Sequence, residues 1–585
     1  MKVLKVVLIV SAFLVVVITA GLYVFLKTFD VNKFLPQITG QVAQAIGRDL
    51  KIGRAELGFS LFNGIGLKAS DIILADDPRF SGKPFLMIDW VEIGLNPGAL
   101  ILQRKIQLVR VVIMSPRIVI IRSKEGLVNA ASMGPKPSGS SSVPAFPSQG
   151  SPAGALPALL VNDIKIVDAR LTYVDEMLIP HLSLQVDRID ISIRNFSLTA
   201  PFDATVKAAL FSEEQDVSAD ARVVLNVPDL SADIKQMNIR VDLAKFDGPR
   251  LENELPVLKP LGLKEWGGNF QFFASDVQVS AQGLKRFKGQ AVLDKGFVLT
   301  GLFPVLLENI QVQADLDEKQ INVKAYSATV SEGTVGGTAV VSDYLFLPAM
   351  SITFDAQGIN PKKLAEAYKA PLTLSGVISA AGDFKLAGRY PEEIMSSLNG
   401  KMKGELKDGV LENVNIFAAG LGNIPMLPGI LDSVMADLPL ETQDEVKKGI
   451  TRFETCKVQA RIVNGLMELD LVDITTRDLG IQAKGTVKLL ESLSIRADIR
   501  VEKELSLRLS DKAKELAYLN DQDGRIYLPM RLTGSVMKPV FMPDLEYLTQ
   551  KLIVAAGGEG LQKALGGSPA AAEAVGAIFD LFRKK

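Results

Sequence analysis

IQVQADLDEKQINVKAYSATV, Ile310 to Val330, is the stretch that decides the fold. Ile310, Val312, Ala314 and Leu316 alternate with Gln311, Gln313, Asp315 and Asp317, and after a polar turn Ile321, Val323 and Ala325 resume the beat. A period of two sends successive side chains to opposite faces, so the stretch predicts a β-hairpin with one apolar and one wetted face. Its reading turns on what the apolar face touches.

The same beat recurs along the chain. Ile189, Ile191 and Ile193 alternate with Asp190, Ser192 and Arg194, and Met237, Ile239 and Val241 with Asn238 and Arg240. Leu493, Ile495, Ala497 and Ile499 alternate with Ser494, Arg496 and Asp498. Asp408-Gly409, Asn464-Gly465 and Asp523-Gly524 read as the turns between such strands. Helical spacing is confined to Phe34–Gly47, Pro361–Tyr368, an apolar stretch around Val414–Lys448 and the tail from Leu545, too little helix to cover so many strands.

The composition removes several function classes. Lys plus Arg total 65 and Asp plus Glu 66 in 585 residues, a net charge of -1, so no basic field exists to hold nucleic acid. One cysteine, Cys456, and one histidine, His181, cannot build a Cys/His zinc cluster or an internal disulfide. No phosphate-binding Gly-rich loop appears, VGGTAV at Val335 reads as a strand, and Asp76-Asp77 and Glu392-Glu393 read as solvated carboxylates. The chain is expected to be no enzyme, with no catalytic residue, metal or cofactor; a hydrolase gathering scattered carboxylates is the weakest alternative.

Val6 to Leu26 is about 21 residues without a charge, roughly 31 Å as a helix, enough to span a bilayer. Lys2 and Lys5 before it favour a cytoplasmic N-terminus, with the rest of the chain across the membrane. Thr19-Ala20-Gly21 makes a poor cleavage site, which favours an uncleaved anchor over a signal peptide. The organisation expected is an anchor (1–27), an N-terminal module (28–133), a Gly/Pro/Ser-rich linker (134–157), a central β region (158–400), a C-terminal β region with a helical insertion (401–545) and a helical tail (546–585).

An apolar sheet face must be covered or filled. Stacked β-sandwiches would cover it, but no domain-sized repeat with linkers recurs. A long curved antiparallel sheet would instead leave a hydrophobic groove, unstable in water unless something apolar fills it. Lipid beside a membrane anchor is the natural filler: moving about 30 methylenes through water costs on the order of 20 to 25 kcal/mol. About 25 strands at roughly 4.8 Å spacing would make a groove on the order of 120 Å long. The expected fold is therefore mainly β: an N-terminal transmembrane helix, then a curved antiparallel sheet with few helices. The expected lining is the apolar set Ile189, Ile191, Ile193, Met237, Ile239, Val241, Ile310, Val312, Ala314, Leu316, Ile321, Val323, Leu493, Ile495, Ala497 and Ile499.

Three segments resemble the AsmA family of the Gram-negative envelope. In Ile46–Phe80, Gly47-Arg48 precedes the first strand and Asp71-Ile72 falls in a later one. In Val91–Met133, Pro97, Ser115-Pro116, Arg122, Gly126 and Asn129 look like the family's turn, strand pair and closing Gly-x-x-Asn. Near the C-terminus Pro529, Gly534, Pro539 and Pro543-Asp544 look like its closing strands. The resemblance implies a chorein-like N-terminal module leading into a long β-groove, an inner-membrane anchor, a periplasmic bulk, and phospholipid traffic toward the outer membrane. It leaves a place for an outer-membrane or periplasmic partner at the C-terminal end. It also implies the main rival, a factor assisting outer-membrane protein assembly by strand addition. The Gly and Pro positions read as turn-makers. Ile416–Leu440 has no counterpart there, and reads as a packed helix pair rather than a lid.

Overall fold

The alternation is strand in the computed structural model, which describes residues 30–551 apart from 61–63, 97–107, 135–159, 179–180, 228, 230, 281–282, 345–346, 371–372, 423, 425–426, 428, 489–490, 536–537 and 549. Val6–Leu26, the linker beyond Gly134, Asn63, Pro97 and the tail beyond Lys551 lie outside the described residues. Among the described residues no helix is long and apolar enough to cross a membrane.

The chain divides into two units, Met1–Gly296 with Asp315–Glu318, and Phe297–Ala314 with Lys319–Lys585. The first holds β1 (Leu50–Ser60), β2 (Gly64–Ala75), β3 (Pro84–Leu95), β4 (Leu108–Met114), β5 (Arg117–Arg122), β6 (Leu160–Asp175), β7 (Leu182–Ser197), β8 (Phe202–Ala209), β9 (Val217–Asn226), β10 (Ser231–Asp242), β11 (Leu263–Ser280) and most of β12 (Gly283–Thr300). From β1 to β11 neighbours pair antiparallel, with one exception: β4 and β5, a single course broken at Ser115-Pro116, pair parallel to β6. With that one exception the unit is antiparallel, in keeping with the expected antiparallel sheet. A parallel neighbour needs a long return connection, and residues 123–159 supply it.

The second unit holds most of β13 (Leu307–Asp317), then β14 (Gln320–Val330), β15 (Gly333–Ser342), β16 (Ala349–Ile359), β17 (Thr373–Ala387), β18 (Asn399–Glu412), β19 (Thr451–Val463), β20 (Leu466–Thr475), β21 (Leu479–Lys488), β22 (Ser492–Val501), β23 (Tyr527–Ser535) and β24 (Lys538–Pro543). From β14 to β24 every successive pair is antiparallel. Asn464-Gly465 makes the β19–β20 turn with both residues at positive φ, as a two-residue hairpin of that sequence should. Asp408-Gly409 does not turn the chain. It sits inside β18, with Asp408 at φ 51° as a bulge residue and Gly409 opposite Phe453.

Bulges recur along the strands. In the first unit, Asp71, Ser115, Asp168, Arg188 and Gln236 are at positive φ inside or between strands. Register shifts accompany those in β6, β7 and β10. An extra residue raises local twist and bends its strand, so a line of bulges curls the sheet.

One part of the second unit has a layered core. Helices Ile416–Gly422, Ile430–Val434, Lys503–Lys512 and Lys514–Ala517 pack over β21–β23, with Leu421, Val434, Val501, Leu509, Leu516, Leu519 and Ile526 fully buried. The apolar 416–440 segment thus packs as helices. The Lys503–Ala517 pair was not expected, although Glu502 caps it by accepting from Glu504 and Leu505 N–H, and Leu505, Leu509 and Leu516 recur at helical spacing.

Candidate functional site

Directly opposed residues of paired strands share a face, so the registers trace rows across each sheet. In the first unit one row runs through Ala55, Ala69, Val91 and Ile113 on β1–β4, then Ile166, Ile191 and Val206, then Ala219, Ile239 and Phe272. All ten are apolar, and from Ala69 to Ile239 they are half-buried. A second row, Leu57, Leu67, Ile93, Val111, Ile164, Ile193, Ala204 and Ala221, is apolar and half-buried throughout.

The opposite face is its converse. Arg110, Asp163, Arg194, Asp203 and Arg222 oppose one another in turn across β4 and β6–β9, an alternating charge ladder facing water. Each such pair contributes a few tenths of a kcal/mol to about 1 kcal/mol, enough to favour register but little else.

The second unit repeats the arrangement. Ala328, Val335, Ala356, Ala380 and Gly404 lead into Val458, Val472, Ala483, Ala497, Met530 and Pro543, one row crossing β14 to β24 without a polar side chain. Beside it Tyr326, Phe354, Met402, Leu469 and Ile495 alternate with Gly337, Gly382, Ala460 and Gly485. A Cβ on Gly382 would lie 2.7 Å from the Phe354 ring, so that ring lies across the bare backbone and only glycine fits.

Of the residues singled out in the sequence, Ile189, Ile191 and Ile193 alternate onto the apolar face of β7; Met237, Ile239 and Val241 onto that of β10, opposite Ala274, Phe272 and Phe270. Ile321 and Val323 oppose Val341 and Ala339, and Leu493, Ile495, Ala497 and Ile499 oppose Val487, Gly485, Ala483 and Ile481. On β13, Ala314 is buried, Ile310, Val312 and Leu316 are half-buried, and Gln311 and Gln313 are exposed. Within its strand set Ile499, at 4% exposure, and Ala497 beside it belong to the core under the helical layer. Cys456, in the row Leu406, Cys456, Ile474 and Ile481, also faces this side, and burial, with Asp473 adding to it, pushes its thiol up to about 11.

The strand edges are managed, which bears on the strand-addition rival. At β1 the Asn32 side chain stands in for a strand: Ala55 N–H donates to Asn32 Oδ1 at 2.8 Å, and Asn32 Nδ2 donates to the Ala55 carbonyl at 3.0 Å. At β24, which among the described residues pairs only with β23, Pro539 and Pro543 offer no N–H. These prolines and Pro529 lie within strands, so they are edge and strand residues rather than the turn-makers expected. Where β7 outruns β8, Arg250 Nη2 donates to the Gln185 carbonyl and Gln185 N–H donates to Glu254. Burial pushes the neighbouring Asp187 up, but donors from Gln185 and Arg170 and the nearby Arg250 charge outweigh it and hold the carboxyl below its usual range.

Two of the motif residues, Arg48 and Asn129, meet in one buried polar knot with Asp76, which is buried rather than solvated as its sequence suggests. Arg48 and Asp76 pair at 3.3 Å with side chains 3% and 1% exposed, and Arg48 also donates to the Asn129 carbonyl and to Ser132. Asn129 donates to Asp76 and to the Val119 carbonyl and accepts from Ile121 N–H. Arg48 further stacks on Phe85. Gly126 stands at φ 81° beside Met177. The knot ties the end of β2 to the turn after β5 as a structural clamp.

Among the described residues no group of His, Cys, Asp or Glu is placed to hold a metal ion. His181 is exposed at the start of β7, and Asp77 is engaged by Arg79. What the arrangement offers is a surface of apolar rows, roofed in the second unit by the helices over β21–β23.

Residues 1–244 match the model of the AsmA family. No curated protein matches the chain.

Proposed function

Through residues 1–244 the chain belongs to the AsmA family, and from that premise we propose that it is a membrane-anchored lipid-transfer protein conducting phospholipids along the apolar face of its sheet toward the outer membrane. The bulk of the chain would lie in the periplasm, held to the inner membrane by Val6–Leu26. The observation that carries the reading is the unbroken apolar row in each unit, half-buried over most of its course. A row crossing ten strands is about 43 Å long at roughly 4.8 Å per step, well beyond one acyl chain. Lipid tails resting on such rows avoid the water barrier of roughly 0.8 kcal/mol per methylene, while headgroups stay wet at the rim. No group need be activated, so conduction is a property of a surface rather than of a catalytic residue.

The test is native mass spectrometry with lipid extraction on the full chain purified from cells, beside Ile191→Asp and Ile495→Asp. Ser192→Asp and Ser494→Asp, one residue away on the wetted face, are the controls. Several phospholipids per chain, lost from the lining variants and kept by the controls, is the expected result. A lipid-free wild-type chain would overturn the proposal and return strand addition to first place.

A further inference from the structure

The helix Leu35–Ile46 is unlike the other surface helices of the described residues. From Phe34 to Ile46 it carries no charged side chain, and none of its residues is buried. Helices Gly248–Glu254, Pro361–Ala367, Pro391–Ser397, Leu440–Lys448 and Lys503–Lys512 each carry two or more charges. Leu35, Thr39, Val42, Ala43 and Ile46 are half-buried on one side, while Gln37, Ile38, Gln41, Gln44 and Ala45 are exposed on the other, Ile38 at 42%. The turn leading into it is fastened to the edge of β1 by the paired Asn32 and Ala55 hydrogen bonds.

On the anchored reading, the chain that precedes this helix keeps it close to the bilayer. The uncharged run Val6–Leu26 ends nine residues before Leu35, a stretch that reaches at most about 30 Å. We propose that the outer side of Leu35–Ile46 docks on the bilayer surface and sets the β1 end of the first unit against the lipid headgroups. This rests on the membrane-anchored reading above and adds the mouth at which lipid would enter, where Leu57 is the first half-buried apolar side chain beyond the helix-shaded Ala55. An interfacial helix usually relies on cationic side chains for attraction to anionic lipid. Here the anchor holds the helix at high effective concentration, so weak apolar contact through Ile38 and Ala45 is enough. Without charge on the helix, docking should be indifferent to salt.

The experiment uses the full chain, with Cys456→Ser, reconstituted into vesicles of phosphatidylethanolamine and phosphatidylglycerol. An environment-sensitive fluorophore is placed singly by Ile38→Cys, Gln41→Cys, Ser192→Cys or, within the apolar run, Val16→Cys. Quenching by headgroup nitroxide lipid, by deep-chain nitroxide lipid and by aqueous iodide is read at low and high salt. The expected result is headgroup quenching at positions 38 and 41, several-fold above position 192 and unchanged by salt, with deep quenching at position 16. Iodide quenching at 38 and 41 equal to that at 192 overturns the docking proposal. If position 16 is nevertheless deeply quenched, anchorage survives that failure; if it is also open to iodide, the anchored reading falls with it.

Discussion

The open rows of β6–β10 and the roofed end over β21–β23 use the same alternation to different ends. Ile166, Ile191 and Ile239 stay half-buried. Ile481, Ile499 and Leu528, aligned in one row of the second unit, lie at 3 to 4% exposure beneath helices whose Leu421, Leu509 and Leu516 are sealed from solvent. Composition does not separate them; the cover does. The roofed end is an ordinary hydrophobic core, and the open rows are apolar surface that these helices do not cover.

The widest separation should come from a carboxylate placed in each region. Ile499→Asp buries an unpaired acid under the helical layer and should cost about 4 kcal/mol or more, whereas Ile191→Asp should cost about 1 kcal/mol. Hydrogen exchange of the peptide spanning each position reads both variants. Equal and small effects would mean that the helices do not seal β22.

Next comes the buried knot, which belongs to neither region and calibrates the comparison. Arg48→Ala leaves Asp76 and Asn129 without their partner and should cost about 3 to 5 kcal/mol; Arg48→Lys should not restore it, because an ammonium lacks the planar fork. Both tryptophans, Trp90 and Trp266, lie in the first unit, so urea titration by tryptophan fluorescence reports this loss selectively. An Arg48→Ala midpoint equal to wild type would mean that the knot does not hold the unit together.

Truncation gives a smaller contrast. Leu509→Ala removes a side chain with no exposed surface and should cost about 3 kcal/mol, against about 1 kcal/mol for Ile193→Ala on the open row, where solvent already reaches the site. If Ile193→Ala proves as costly as Leu509→Ala, the open row is packed in solution and no longer available to lipid.

The faces were legible in the sequence because alternation is local. Ile310–Val330 and Ile189–Ile193 announce their sides without knowledge of any neighbour. Cover is not local. Lys503–Ala517 reads as a polar stretch, and only the spacing of Leu505, Leu509 and Leu516 betrays the side that seals Ile499. Asp408-Gly409 carries turn chemistry, yet β18 continues through it because β19 supplies pairing on both sides of the bulge. Arg48 and Asn129 stood out as motif residues, but they are 81 positions apart and their meeting depends on the tertiary fold.

Cys456 offers the finest probe of the boundary between the two regions. It lies in a row that runs from the buried Leu406 through Ile474, which packs against the helix-covered core, to Ile481 beneath the helices. Its thiol is pushed up to about 11, first by burial and then by the Asp473 charge. At pH 8 only about 0.1% is thiolate, against roughly a quarter for an ordinary thiol of pKa near 8.5, so alkylation should be roughly two-hundredfold slower. The rate should then climb about tenfold per pH unit through pH 10, where an ordinary thiol has already levelled off. Bound lipid over the row should slow it further without moving that slope, since it blocks access rather than ionisation. Delipidation of the purified chain separates the two causes: a faster rate with the same pH slope places hydrocarbon over Cys456, and an unchanged rate places the cover in the protein itself.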